Sequence, residues 1–125
     1  MGALEEARAH LEKAGEFLAA AEATLDLELF NAATSNAVSC GVNAKDAICL
    51  KLTGRTAKPD DHASAADQLK AVGGSAAALA PTLRRLLSLK QKSQYQTASV
   101  GRSEGTKAVE WARRLHVGAQ EIVLL

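Results

Sequence analysis

The chain has 125 residues, 47% hydrophobic and 23% charged, with a formal net charge of +1. That length suits one domain spanning residues 1–125, large enough to bury roughly two-thirds of its unfolded surface without disulfide or metal staples. The composition excludes a disordered chain, and no apolar run approaches the roughly 20 residues of a membrane span.

The opening MGALEEARAH carries two glutamates and no apolar run, so it does not read as a signal peptide. Glu6 stands where a myristoylation signal wants serine or threonine. Cys40 and Cys49 are nine residues apart, which on one helix is roughly 13 Å along the axis and beyond disulfide reach. They read as reduced thiols, and the expected setting is cytoplasmic. His10, His62 and His116 are scattered, and no metal-ligand spacing or cofactor motif stands out.

Alanine and leucine dominate, β-branched residues are thin, and Phe17, Phe30, Tyr95 and Trp111 are the only aromatics. That mix favours closely packed helices over sheet. Leu4, Ala7, Leu11, Ala14, Leu18, Ala21 and Leu25 repeat in steps of three and four, a long amphipathic first helix. A second runs from about Glu28 to Leu52 on Phe30, Ala33, Ala37, Cys40, Ala44 and Ala47, and Gly54 closes it. After the loop GRTAKPDD, Asp60 or Asp61 is placed to cap a third helix over about His62 to Val72, ended by Gly73 and Gly74. Pro81 cannot sit deep in a helix, so the fourth is expected to start near Ala78. Ser103 is the expected cap of the fifth, whose inner side reads Ala108, Trp111, Ala112, Leu115, Ala119 and Ile122. The expected fold is all-α, an antiparallel bundle of four to five helices.

The chain is electrically lopsided. Met1 to Asn31 holds seven acids against Arg8 and Lys13, a net −5, whereas Pro81 to His116 holds eight bases against Glu104 and Glu110, a net +6. The two ends can complement each other within a bundle or across a dimer, or the basic end can form an anion-binding face. The basic stretch is LAPTLRRLLSLKQKSQY, Leu79 to Tyr95. Leu79, Leu83, Leu86 and Leu87 make a buried stripe, and Lys90 lies on the same arc. There it either snorkels out at the helix end or holds an anionic group at the edge of the core. Arg84, Arg85 and Lys92 point away from the stripe as candidate phosphate contacts, and Tyr95 is placed to stack on a base.

Four stretches recur in a recognisable order: NAVSCGVNAKDAICLKLTG in the second helix, DDHASAADQL opening the third, LRRLLSLKQKSQY, and AVEWARRL in the last. Together they resemble the small prokaryotic HEPN domains over nearly the whole chain. The resemblance implies a helical bundle and a homodimer, to which close-packing alanine seams also point. For some relatives it implies a nucleotidyltransferase partner in a toxin–antitoxin pair. Where many relatives carry an arginine, paired tyrosines and a histidine on the second helix, this chain has Asn36, Val38, Ser39 and Asn43. Ribonuclease relatives use an arginine, a polar residue directly after it, and a histidine separated from the arginine by four to six residues. Arg55, Thr56 and His62 meet that count, and the resemblance then makes His62 an acid or base and Arg55 a stabiliser of the phosphorane, with no metal required. The preferred reading is a non-catalytic module binding RNA, a nucleotide or a nucleotide-handling partner through Arg84, Arg85, Lys90, Lys92 and Tyr95. The alternatives are the nucleotidyltransferase partner and the metal-independent ribonuclease.

Overall fold

The computed structural model describes residues 2–57, 62–94 and 99–125, and their side chains except at positions 62, 63, 91 and 94. The described residues form helices and connections only: α1 (Ala3–Asp26), α2 (Phe30–Thr53), α3 (His62–Val72), α4 (Gly74–Ser88), the short α5 (Lys90–Gln94) and α6 (Arg102–Val123). The all-α antiparallel bundle expected from the helical periodicity is the observed fold.

α1 presents one seam: of its expected inner residues, Ala7, Leu11, Ala14, Leu18 and Ala21 are buried and Leu25 is half-buried, whereas Leu4 in the first turn is exposed. It turns into α2 through three residues. The Leu29 N–H reaches the Thr24 carbonyl at 2.9 Å and the Glu28 N–H reaches Leu25 at 2.9 Å, the paired bonds of a Schellman ending. Glu28 adopts φ 61°, the left-handed conformation that such an ending requires.

α2 is the hub and touches every other helix. Its alanines, Cys40 and Gly41 are buried on more than one side, because small side chains let neighbours approach from several directions. Gly41 is the extreme case: a Cβ there would lie 2.7 Å from a Leu86 methyl and 3.2 Å from one of Leu115. The glycine thus sets how close α4 and α6 come to α2. Gly54 ends α2 in the left-handed conformation, φ 77°, as expected.

Three expectations need correction. α4 begins at Gly74, directly after Gly73, so Pro81 lies inside it rather than within its first turn. The proline ring is exposed, which spares it the tight packing of a buried kink, although the Ala77 carbonyl loses its helical donor. Lys90 does not continue the arc of the leucines on one helix: α4 breaks at Leu89, whose N–H bonds to Leu86 at 3.1 Å, and Lys90 opens α5 as a separate turn. α6 is capped from Gly101, not Ser103, and the Glu104 carboxylate reaches back to the Gly101 N–H at 3.5 Å. Val109 and Val123 flank its buried arc, while Trp111 is only half-buried against the core.

Candidate functional site

The leucines of α4 bury their stripe as expected, with Leu83, Leu86 and Leu87 essentially inaccessible. That burial turns Arg84 and Arg85 outward, and both are exposed. Arg84 donates to Asp67 of α3 at 2.9 Å. Among the described residues Arg85 has no ion-pair partner. Lys90 is half-buried at the start of α5. Lys92 donates to both oxygens of Glu104 on α6, at 2.9 and 3.1 Å, and this bond is the leading cause that holds the Glu104 carboxyl below its usual range. Arg84 is thus drawn towards α3 and Lys92 towards α6. Tyr95 lies outside the described residues.

Arg55 follows the Gly54 cap of α2 and is exposed. Its backbone is held by Thr53, whose hydroxyl donates to the Arg55 carbonyl at 2.9 Å. His62 is the first residue of α3, but its side chain lies outside the described set, so no geometry links it to Arg55. Arg55 borders a cleft of about 310 Å³ whose other walls include Cys49, Gln68, Ala71 and Val72. Among the described residues Arg55 is the one charged residue on that lining.

Behind the cleft lies a network that the sequence reading passed over. Lys45 is fully inaccessible on α2. Its ammonium donates to Thr56 Oγ1 at 3.0 Å, the Ala57 carbonyl at 3.0 Å and Gln68 Oε1 at 2.8 Å, and lies 2.7 Å from Asp46 Oδ1. The Thr56 hydroxyl in turn donates to Asp46 at 2.7 Å. An ammonium has three protons, and here each has an acceptor, the condition under which a buried charge is tolerated. On the α1 side, His10 Nδ1 lies 2.9 Å from Asn43 Oδ1 and 4.0 Å from Asp46. Since Oδ1 only accepts, the Nδ1 proton is on His10. The network clamps the segment after Gly54 between α2 and α3 and thereby positions Arg55. Helical arithmetic holds the signal, because Lys45 is four residues from Gly41 and three from Ile48, both on the packed side.

The cysteines offer no nucleophile. Burial, with the Glu22 carboxylate adding to it, pushes the Cys40 thiol up to about 12. Burial also raises Cys49, and only part of that is offset by Lys45. Both remain free thiols. Among the described residues no helix is long and apolar enough to cross a membrane, and no three His, Cys, Asp or Glu side chains gather as metal ligands.

An all-helical bundle around one hub helix, with outward arginines on a leucine-striped helix, defines a class of small helical domains. The family comparison is specific within that class: the family model described as HEPN domain matches residues 7–121. The chain therefore belongs to the HEPN family. No curated protein matches it closely enough to count as a relative.

Proposed function

We propose that this chain is a non-catalytic HEPN module that binds the phosphates of RNA or a nucleotide through the outward face of α4, with Arg84 and Arg85 as the principal contacts. The observation that carries the reading is the state of these two side chains. The Arg84–Asp67 pair has side chains 50% and 66% exposed, and such pairs are worth about 0–1 kcal/mol, so a phosphate displaces the carboxylate at little cost. Among the described residues Arg85 has no carboxylate to leave. Lys90 and Lys92 extend the face, Lys92 with Glu104 as its resting partner, and Tyr95 follows them in sequence. Two unpaired thiols support a cytoplasmic setting.

The test is fluorescence anisotropy of labelled single-stranded RNA over a salt series, with a gel of the same samples. Affinity should fall steeply with salt. Replacing Arg84 and Arg85 with alanine should weaken binding to all sequences alike, and reduce the slope of log affinity against log salt by about 0.7 per arginine. Arg55→Ala and His62→Ala should leave binding intact. Metal-free cleavage abolished by those two changes would instead establish the ribonuclease reading. RNA left intact and unbound would overturn the proposal and leave a nucleotide-handling protein as the partner to seek.

A further inference from the structure

The end of α2, the connection after it and the C-terminal half of α3 border the cleft beside Arg55. Its volume of about 310 Å³ lies at the small end of ligand sites, roughly 300–1,000 Å³. Its walls are of two kinds. Ala57, Ala71, Val72 and Cys49 make the apolar side, where the Cys49 thiol belongs because burial keeps its proton on. Thr53, Thr56, Gln68 and Arg55 make the polar side. The two hydroxyl protons are committed: Thr53 donates to the Cys49 and Arg55 carbonyls at 2.7 and 2.9 Å, and Thr56 to Asp46 at 2.7 Å. Gln68 has committed its acceptor instead. Its Oε1 takes the Lys45 ammonium at 2.8 Å, which leaves the amide N–H pair as its donor end. Among the described residues the Arg55 guanidinium forms no ion pair.

We infer that this cleft binds a small amphipathic monocarboxylate, with its head group on the Arg55 guanidinium and the Gln68 amide and its apolar body against Ala71, Val72 and Cys49. Charge selects the class. Lys45 and Asp46, 2.7 Å apart, cancel behind the wall, and among the described residues no carboxylate lines the cleft. One positive charge is left, which a monoanion neutralises and a dianion exceeds. Shape points the same way, because a guanidinium is a planar fork that takes both oxygens of a carboxylate. The volume equals that of about ten waters of liquid, at about 30 Å³ each, so roughly ten carbon and oxygen atoms fill it. The site is also set in advance: the ammonium that holds Gln68 holds Thr56 Oγ1 and the Ala57 carbonyl at 3.0 Å each. Three lining residues are thus fixed before a ligand arrives, which lowers the ordering cost of binding. The inference depends neither on RNA binding nor on cleavage, since Arg84 and Arg85 line no part of the cleft and His62 is given no role.

Heteronuclear NMR titration of the full chain with octanoate tests it. Saturable shifts are expected at Gln68, Ala71 and Val72, with a dissociation constant of about 1 mM or tighter. Octanamide, which keeps the body and lacks the charge, should bind about tenfold more weakly. Butanoate, which keeps the head and loses most of the body, should bind at least about tenfold more weakly. Arg55→Gln should weaken octanoate by about tenfold and leave octanamide unchanged. Ala71→Trp, at an exposed position, fills the cleft and should abolish binding of both, with helical circular dichroism intact. Octanoate that produces no saturable shift would overturn the inference, as would an affinity unmoved by Arg55→Gln and Ala71→Trp. Equal affinity for octanoate and octanamide would overturn the carboxylate head. Shifts centred on Arg84 and Arg85 would place octanoate on the α4 face and overturn the site.

Discussion

Lys45 is the residue whose removal the structure makes most consequential. Taking an ammonium out of water costs several kcal/mol, and the cost is met only because Asp46, Thr56, Ala57 and Gln68 surround it. Lys45→Met keeps most of the stem but strands those acceptors, and should destabilise the protein by about 3–5 kcal/mol. Asp46 is 15% exposed, so water can reach it and the lower end of that range is expected. Urea denaturation measures the loss, and an unmoved midpoint would mean that the clamp on the α2–α3 connection contributes nothing. Thr34 is as inaccessible as Lys45, yet among the described residues its hydroxyl has no hydrogen-bond partner. Neither residue stood out in the sequence. A lone lysine or threonine among alanines scores as a solvent position unless its three- and four-residue neighbours are checked for burial. Trp111 shows the converse: an apolar identity alone placed it in the core, whereas a ring at the rim of α6 packs with one side still wet.

The helices divide by how many sides they bury. α1 buries one seam, so its periodicity was legible and the expected register is the observed one. α2 is surrounded, its moment is diluted, and its second buried side, with Lys45, was not legible. α4 starts earlier than its proline suggests, because a proline on an exposed face is a smaller interruption than one pointing inward. The α2 packing makes a testable contrast between two glycines. At Gly41 an added methyl meets a Leu86 methyl at 2.7 Å, and Leu86 is fully buried. Overpacking of about 1–3 kcal/mol should therefore exceed the helix-propensity gain of about 1 kcal/mol. At Gly15 the methyl would meet His116 Nε2 at 3.2 Å, and that half-buried ring can give. Gly41→Ala should lower the denaturation midpoint, and Gly15→Ala should leave it level or raise it. The opposite order would show that α4 and α6 are free to retreat from α2.

For the molecule as a whole, the charge asymmetry legible in the sequence is partly spent inside the fold. Glu22 of α1 lies 3.7 Å from Arg113 of α6, and Glu28 in the first turn pairs with Arg102. The α1–α6 contact also holds a titratable group that has no ion-pair partner among the described residues. His116 packs against Gly15, and burial lowers its affinity for a proton below the ordinary histidine value. A depressed histidine favours the neutral, folded form. Its contribution is fully present above the unfolded value, about 6.5, and is lost as pH falls from there through the folded value. Glu104 acts at lower pH: its depressed carboxyl, bonded to Lys92, contributes above about 4.5 and loses that contribution as pH falls through the folded value. Stability should therefore decline in two stages on acidification, the first set by His116 and the second by Glu104. Thermal unfolding at pH 7.5, 6.0 and 4.0 separates them. His116→Gln, which cannot charge, should remove the decline between pH 7.5 and 6.0 and keep the later one. Lys92→Ala should soften the later decline and keep the first. If His116→Gln leaves the first decline unchanged, then the proton taken up in that range goes to another group, and the α1–α6 contact is not what titrates.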